Sequence, residues 1–402
     1  MNDNTIGISK DRLLLLVQNL FYNKFRFVAA ICIPLDRDRF EIIYHFDRDL
    51  FLQSYKIQIH KSDEVPSISK VYPSAVYLEY EIKQKFGINI SELELGNLDE
   101  IKLAEDIKLL PDDLTGEHTF VPFGPLHPSL LEPISLKLRM REEQIAGVEI
   151  AGGYVARGME ELCETKGYDQ VVRIVERVCG KCGFFHSLAY CQAVEELANV
   201  KVPERALFLR VIWSEFHRIQ NHLFHLAWLA NGAGFEGLNM QIMAVREKVM
   251  DILDDTTGSR LMSSVNVVGG VIADIRRDEF VHMVVMLDEL VEEVTRIEKI
   301  FSDNYTLRKR MEGCGILTEK QAREYGVVGP AARASGIAED IRMSGYGAYG
   351  ELEFEPVVLR EGDCFARTMV RVLEIYQSIE LIKQAFEKIP EGPVNTSVYM
   401  DL

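Results

Sequence analysis

Two hydrophobic rhythms divide this 402-residue chain, and they restrict it to a fold of two unlike parts. From about residue 10 to 90, segments rich in β-forming residues alternate with helical ones; 25–34, 40–46 and 55–60 read as strands of one sheet. Residues 69–86 have helical spacing and are stopped by Gly87. Beyond Phe120 a hairpin signal at 134–139 and 147–153 gives way to apolar stripes of period 3.6. They predict helices over 155–166, 184–198, 203–231, 241–258, 276–303, 319–326 and 362–389. A charged, turn-rich stretch over 91–117 separates the halves. The expected class is α+β: an α/β domain over 1–110, a linker over 111–119 and a mainly helical domain over 120–402.

Composition narrows the partners. A net charge of −17 argues against nucleic acid, whose phosphates are held by Lys and Arg. Seven cysteines, scattered except for one close pair, do not form a disulfide framework and fit a reducing compartment. The N-terminus lacks the basic-then-apolar order of a signal peptide. No apolar run has the length of a membrane span; the one from Val281 to Leu290 carries His282, Asp288 and Glu289. Any membrane association is expected to be peripheral, on the cytoplasmic face.

The close pair is Cys179-Gly-Lys-Cys182, with His186 four residues on and a helical pattern starting at once. Thiolates two residues apart can face one soft metal or one disulfide partner. At a helix N-terminus, backbone N–H groups and the helix dipole favour thiolate over thiol. The pair alone is compatible with a redox disulfide, half a zinc site or half of a larger metal site.

Further motifs surround it in order. They are Phe123-Gly-Pro-Leu-His-Pro128, Arg157-Gly-Met-Glu160, the run from Glu176 through Cys179 and Cys182 to His186, Val202-Pro-Glu-Arg205, Gly329-Pro-Ala-Ala-Arg-Ala-Ser-Gly336, Gly362-Asp-Cys-Phe-Ala-Arg367 and Gly392-Pro-Val394. Together they resemble the large subunit of energy-converting, membrane-bound nickel–iron hydrogenases of the formate hydrogenlyase type. The homologous quinone-site subunit of respiratory complex I shares most of them. Val65-Pro-Ser-Ile68, Tyr72 to Glu79 and Phe86-Gly-Ile88 resemble the small α/β subunit of complex I, here fused to the large one.

Residues at the site divide the two relatives. The second His that helps hold a quinone in complex I is Leu131 here, and the quinone-binding Tyr is Gly180. The thiol pair that complex I has lost is present. The resemblance implies that Cys179 is a terminal nickel ligand and Cys182 a bridge between nickel and iron. It gives His186 a hydrogen bond towards the bridging sulfur, with a helix-start bond to backbone as the plain alternative. The centre takes four thiolates, the other two from a second CxxC about a hundred residues past Gly392-Pro-Val394; the sequence ends at Leu402, so two of the four are expected here. Cys364 stands alone in sequence, in a context that matches a non-ligand position.

Glu160 resembles the proton-transferring glutamate of hydrogenases; otherwise it is a solvated helix carboxylate beside Glu161 and Glu164. Glu215, Arg218 and His222 share one helix face and form either a proton-conducting network or a structural ion pair; Arg333 has the same two readings. His217 and His225 read as ordinary helix residues. The chain lacks cysteines for an iron–sulfur cluster of its own. The implied partners are therefore an iron–sulfur small subunit, a ferredoxin-like subunit and antiporter-like membrane subunits. The implied function is proton reduction or hydrogen oxidation. The alternatives are an NADH or ferredoxin:quinone oxidoreductase subunit like that of complex I, and a non-catalytic scaffold that has lost its metal centre.

Overall fold

The computed structural model describes residues 5–93, 119–128 and 130–396. The first unit is a four-stranded sheet of order β1-β4-β3-β2, formed by β1 (Thr5–Gly7), β2 (Arg26–Pro34), β3 (Arg39–Arg48) and β4 (Phe51–His60). β1 runs parallel to β4 and the other pairs are antiparallel. Phe40, Ile42, Tyr44 and Phe46 alternate inward along β3, as period two requires. They join Leu13 and Val17 of α1 (Leu13–Tyr22) in one apolar core.

The helix expected over 69–86 is shorter than its spacing suggests. α2 spans Val76–Phe86, because Pro73 opens a short 3-10 turn, and proline lacks the N–H needed inside a helix. Gly87, at φ 68°, ends α2 as expected. The segment before it is tied down from within, where buried Glu79 accepts from Ser67 Oγ at 2.5 Å and from the Ile68 N–H at 2.9 Å. Asn89–Ser91 forms a strand, β6, parallel to β5 (Glu64–Pro66), although the turn-rich reading of 91–117 began there. Residues 94–117 of that reading lie outside the described residues, as does the expected linker over 111–119 except Thr119, which belongs to a strand.

The second unit opens with an antiparallel sheet of β7 (Thr119–Phe123), β8 (Ser135–Arg141) and β9 (Gln144–Ala151). β8 and β9 are the predicted hairpin; β7 is an added strand. Helices follow: α3 (Met159–Glu164), α4 (Tyr168–Glu176), α5 (Gly183–Leu197), α6 (Glu204–Gly232), α7 (Glu236–Thr257), α8 (Arg277–Asp303), α9 (Tyr305–Met311), α10 (Glu319–Glu324), α11 (Gly329–Ala334) and α12 (Cys364–Lys388). A two-residue ladder, β10 (Asn266–Val267) with β11 (Gly270–Val271), lies between α7 and α8. α6 runs through the middle and buries residues on most of its circumference, which a long helix does only when surrounded. Ile212 and Phe216 of α6, Leu253 of α7, Leu287 of α8 and Ile379 of α12 share one continuous core.

The four-stranded and three-stranded sheets stay separate, and the units meet where Gly326 approaches Phe27. A Cβ on Gly326 would lie 3.3 Å from the Phe27 carbonyl oxygen. Beside this contact is a cleft of about 270 Å³ between Phe25, Arg26 and Arg48 on one side and Lys320, Arg323 and Val327 on the other. Among the described residues, no helix is long and apolar enough to cross a membrane.

Candidate active site at the thiol pair

α5 starts at Gly183 with Cys182 at its N-cap, so the thiols sit at the helix N-terminus that the sequence predicts. The glycine is required by a close approach: a Cβ on residue 183 would lie 2.3 Å from the Glu176 carbonyl oxygen. The Glu176 carboxylate, itself buried, accepts from the N–H of Ser264 at 2.8 Å and its Oγ at 2.7 Å. This fixes the end of α4 against the approach to β10.

Three further straps hold the loop between α4 and α5. Arg157 Nη2 donates to the carbonyls of Arg177 and Val178, at 2.8 and 3.1 Å. Lys181 Nζ pairs with Glu132 at 3.0 Å. Gln220 Nε2, from the middle of α6, donates to the Lys181 carbonyl at 2.9 Å. Arg246 of α7 then holds Gln220, donating to its Oε1 at 2.9 Å. Residues from ahead of β8, from α6 and from α7 thus converge on one Cys-Gly-Lys-Cys turn.

The two thiols are not equivalent. Burial pushes the Cys182 thiol up to about 12, and the adjacent Cys179 adds to the shift. For Cys179 burial acts in the same upward direction, but hydrogen bonds from Cys182 and the Lys181 backbone, with the Lys181 charge, hold it below its ordinary value. Burial thus opposes the helix N-terminus at Cys182, while Cys179 is shifted in the direction that favours thiolate. His186 Nε2 lies 3.6 Å from Cys182 Sγ, the contact towards sulfur that the resemblance implies.

Glu160 is exposed near the start of α3. Arg333 is buried, donating to Glu374 Oε1 at 2.6 Å and to the Glu339 carbonyl at 3.0 Å, and lying 3.4 Å from Asp340. From there a buried ion network spreads through the bundle. His222 Nε2 is 2.8 Å from Glu374, Asp340 binds Arg342 at 2.8 Å, and Arg342 reaches Glu215 at 3.2 Å. Glu215 also pairs with Arg218 at 3.1 Å and accepts from the hydroxyls of Ser378, at 2.6 Å, and Tyr349. Burial alone would raise Glu215, but Arg218, Arg342 and these hydroxyls hold it below the usual carboxylate range. Glu215, Arg218, His222 and Arg333 therefore belong to one network, joined through Asp340 and Arg342, which the sequence did not single out. The network touches α5 where the Arg218 guanidinium lies over the Phe185 ring, one residue from His186.

His217 is enclosed on α6. It is buried, stacks on Phe184 at 4.7 Å, and both ring nitrogens lack a hydrogen-bond partner. His225 Nδ1 donates to the Asn221 carbonyl of its own helix at 3.0 Å, and is an ordinary helix residue as expected. All seven cysteines are free, and Cys364, alone in sequence, has Cys314 beside it in the fold.

The chain is thus an α/β unit joined to a helical bundle that carries a strapped thiol pair and a buried ion network. The model of the family described as respiratory-chain NADH dehydrogenase, 49 Kd subunit, matches residues 233–400. That of nickel-dependent hydrogenase matches 157–231, and that of the 30 Kd subunit of the same NADH dehydrogenase matches 6–113. The membrane-bound hydrogenase subunit alpha of Pyrococcus furiosus is 36% identical over 69% of this chain and 66% of its own length. A component of the NADH-quinone oxidoreductase of Clostridium beijerinckii is 36% identical over 71% of this chain and 78% of its own. The solved structure of the membrane-bound sulfane sulfur reductase (MBS), an archaeal respiratory membrane complex, contains a chain that matches with TM-score 0.67 and 31% identity, over 71% of this chain and 78% of that one. The chain belongs to the family that unites nickel-dependent hydrogenase large subunits with the 49 kDa subunit of respiratory NADH dehydrogenase, and it is an oxidoreductase-family subunit.

Proposed function

We propose that this chain is the large-subunit module of a membrane-associated, multi-subunit hydrogenase-type oxidoreductase, with Cys179 and Cys182 at its reaction centre. The observation that carries this reading is the strapped pair. Four separate side chains, Arg157, Glu176, Lys181 and Gln220, fix one turn whose reactive groups are two half-buried thiols. Gly180 and Leu131 stand where quinone-holding groups belong in complex I, which disfavours a quinone site. Electrons are expected from an iron–sulfur small subunit, with ferredoxin-like and antiporter-like membrane subunits completing a complex on the cytoplasmic face. Exposed Leu126, Ile150, Val155 and Val178, on the segments that flank the pair, support a partner covering this side.

In this reading His186 orients towards the Cys182 sulfur, Glu160 exchanges protons, and Arg333 is a positioning residue that holds Glu374 and the network behind it. A nickel–iron centre of this family takes four thiolates. Among the described residues, no group of three or more His, Cys, Asp or Glu is arranged to hold a metal, so these residues do not fit a complete centre.

A second reading takes the pair as a dithiol that works on sulfane sulfur, the substrate in the name of the matched archaeal reductase. One thiolate attacks a sulfane sulfur and becomes a persulfide, releasing the shortened sulfur chain as thiolate. Its neighbour attacks the cysteine sulfur, closing the Cys179–Cys182 disulfide and expelling hydrosulfide. Two electrons from the iron–sulfur partner and two protons restore both thiols.

The test is the complex isolated through a tag on this chain, assayed for nickel, for hydrogen evolution and for sulfide released from polysulfide. Nickel with hydrogen evolution supports the first reading, and sulfide release without nickel supports the second. Reduction of quinone blocked by quinone analogues, with neither other activity, would return the chain to the complex I reading. No activity in a fully assembled complex would leave the scaffold.

A further inference from the structure

Outside the reaction centre, the fold places two more thiols together. Cys314 follows α9 in an exposed loop, and Cys364 opens α12 half-buried. The Cys364 N–H donates to the Cys314 carbonyl at 2.9 Å. Two neighbouring bonds hold the same strands of chain in register: Leu317 N–H to the Gly362 carbonyl at 2.9 Å, and Gly313 N–H to Asp363 Oδ2 at 2.8 Å. Gly362 permits the approach, since a Cβ there would lie 2.2 Å from the Leu317 carbonyl oxygen. The bonded backbone groups hold the two residues side by side, and the Cys314 charge is felt at the Cys364 thiol. Such neighbours are candidates for a disulfide, which spans α-carbons about 4.4–6.8 Å apart.

Arg367 fixes the surroundings, donating to the carbonyls of Gly315 at 2.9 Å and Gly362 at 2.6 Å. Its guanidinium also favours thiolate at Cys364, against the burial that raises that thiol. The segment between the two cysteines supplies Arg333, Asp340 and Arg342 to the buried network. A bond between its ends would close a covalent ring around that supply.

We propose that Cys314 and Cys364 form an oxidant-responsive thiol pair that closes to a disulfide and pins the segment carrying Arg333, Asp340 and Arg342. The oxidant is a small disulfide of the glutathione class. The exposed Cys314 thiolate attacks oxidised glutathione, forming a mixed disulfide and releasing one glutathione thiolate. The Cys364 thiolate then attacks the Cys314 sulfur, expels the second glutathione and leaves the intramolecular bond. Two protein thiols are oxidised and one glutathione disulfide is reduced to two thiols.

The experiment treats the purified full-length chain with oxidised glutathione, then maps peptides by mass spectrometry without reduction. The expected product is a Cys314–Cys364 cross-linked peptide, two hydrogens lighter than the free pair, absent from Cys314→Ser and from Cys364→Ser. In Cys364→Ser, Cys314 should instead keep its glutathione adduct. Circular dichroism before and after treatment establishes that the chain is folded. A lasting adduct on Cys314 in the parent, with Cys364 still alkylated by iodoacetamide, would overturn the proposal. So would two unreacted thiols.

Discussion

The side-chain amide of Gln220 donates to the Lys181 carbonyl at 2.9 Å, tying the centre of the Cys-Gly-Lys-Cys turn to the centre of the longest helix. The same amide accepts from Arg246 on α7 at 2.9 Å. The thiol spacing is therefore set by the packed core and not by the loop's own preferences, the condition a reaction centre needs.

Gln220→Ala should uncouple the turn from the core. It leaves a carbonyl and a guanidinium short of partners, at a cost of about 1–3 kcal/mol for a buried hydrogen-bonding group. We expect a lower melting temperature and faster alkylation of Cys179 and Cys182 in the folded chain. Unchanged alkylation rates would show that the strap does not hold the thiols.

Gly183→Ala tests the other side of the turn. The new methyl would lie 2.3 Å from the Glu176 carbonyl oxygen, so α4 and α5 must separate. Overpacking of this kind costs about 1–3 kcal/mol. The expected result is destabilisation with loss of the Glu176–Ser264 bonds, seen as faster hydrogen exchange at Ser264. Protection equal to the parent would refute the close approach.

Acid and base should weaken different units. Burial lowers His217 to about 3 and His222 to about 4, from an ordinary 6.5. Both stay neutral in the fold while the unfolded chain takes up protons, so their stability is intact above about pH 6.5 and is lost as pH falls through those lowered values. For Glu374 burial acts upward, but His222 and Arg333 prevail and hold it down to about 2. Its contribution is complete above its ordinary 4.5 and is lost as pH falls towards 2. Glu79 has the opposite sign: burial raises it to about 7, so its contribution is complete below 4.5 and is lost as pH rises through 7. Hydrogen exchange resolved by unit should show the helical unit loosening below pH 6.5 and the α/β unit loosening from pH 5 to 8. Glu79→Gln should flatten the second trend alone; a parent-like trend in that variant would contradict the assignment.

Much of the fold is legible in the sequence, for physical reasons that also mark where legibility ends. α6 and α12 are long, so their helical spacing repeats often enough to be read, and β2 to β4 are rich in β-forming residues. α4 has nine residues and α11 six, too few turns for a stripe to repeat often. Pro73 shortens α2 despite apolar spacing that continues upstream. At the site, Cys179, Cys182 and His186 are legible because chemistry and spacing coincide. Asp340 and Arg342 are not, since Arg342 meets Glu215 only through the tertiary fold. Nor does spacing reveal that Cys364 has Cys314 for a neighbour.

Glu160→Gln separates a proton carrier from a surface carboxylate. The residue is exposed, so the melting temperature should not move. In the assembled complex, turnover should fall about a hundredfold, the scale of losing a positioned acid–base group. Turnover within about twofold of the parent would remove Glu160 from the proton path.

The central claim is that chemistry takes place at the Cys179–Cys182 pair, and the most direct measurement is reductive turnover of the assembled complex carrying Cys179→Ser or Cys182→Ser. Either substitution should abolish hydrogen evolution or sulfide release, whichever the parent performs, by at least about a hundredfold while subunit composition is preserved. Parent-level turnover with either serine in place would contradict the account and move the reaction away from these thiols.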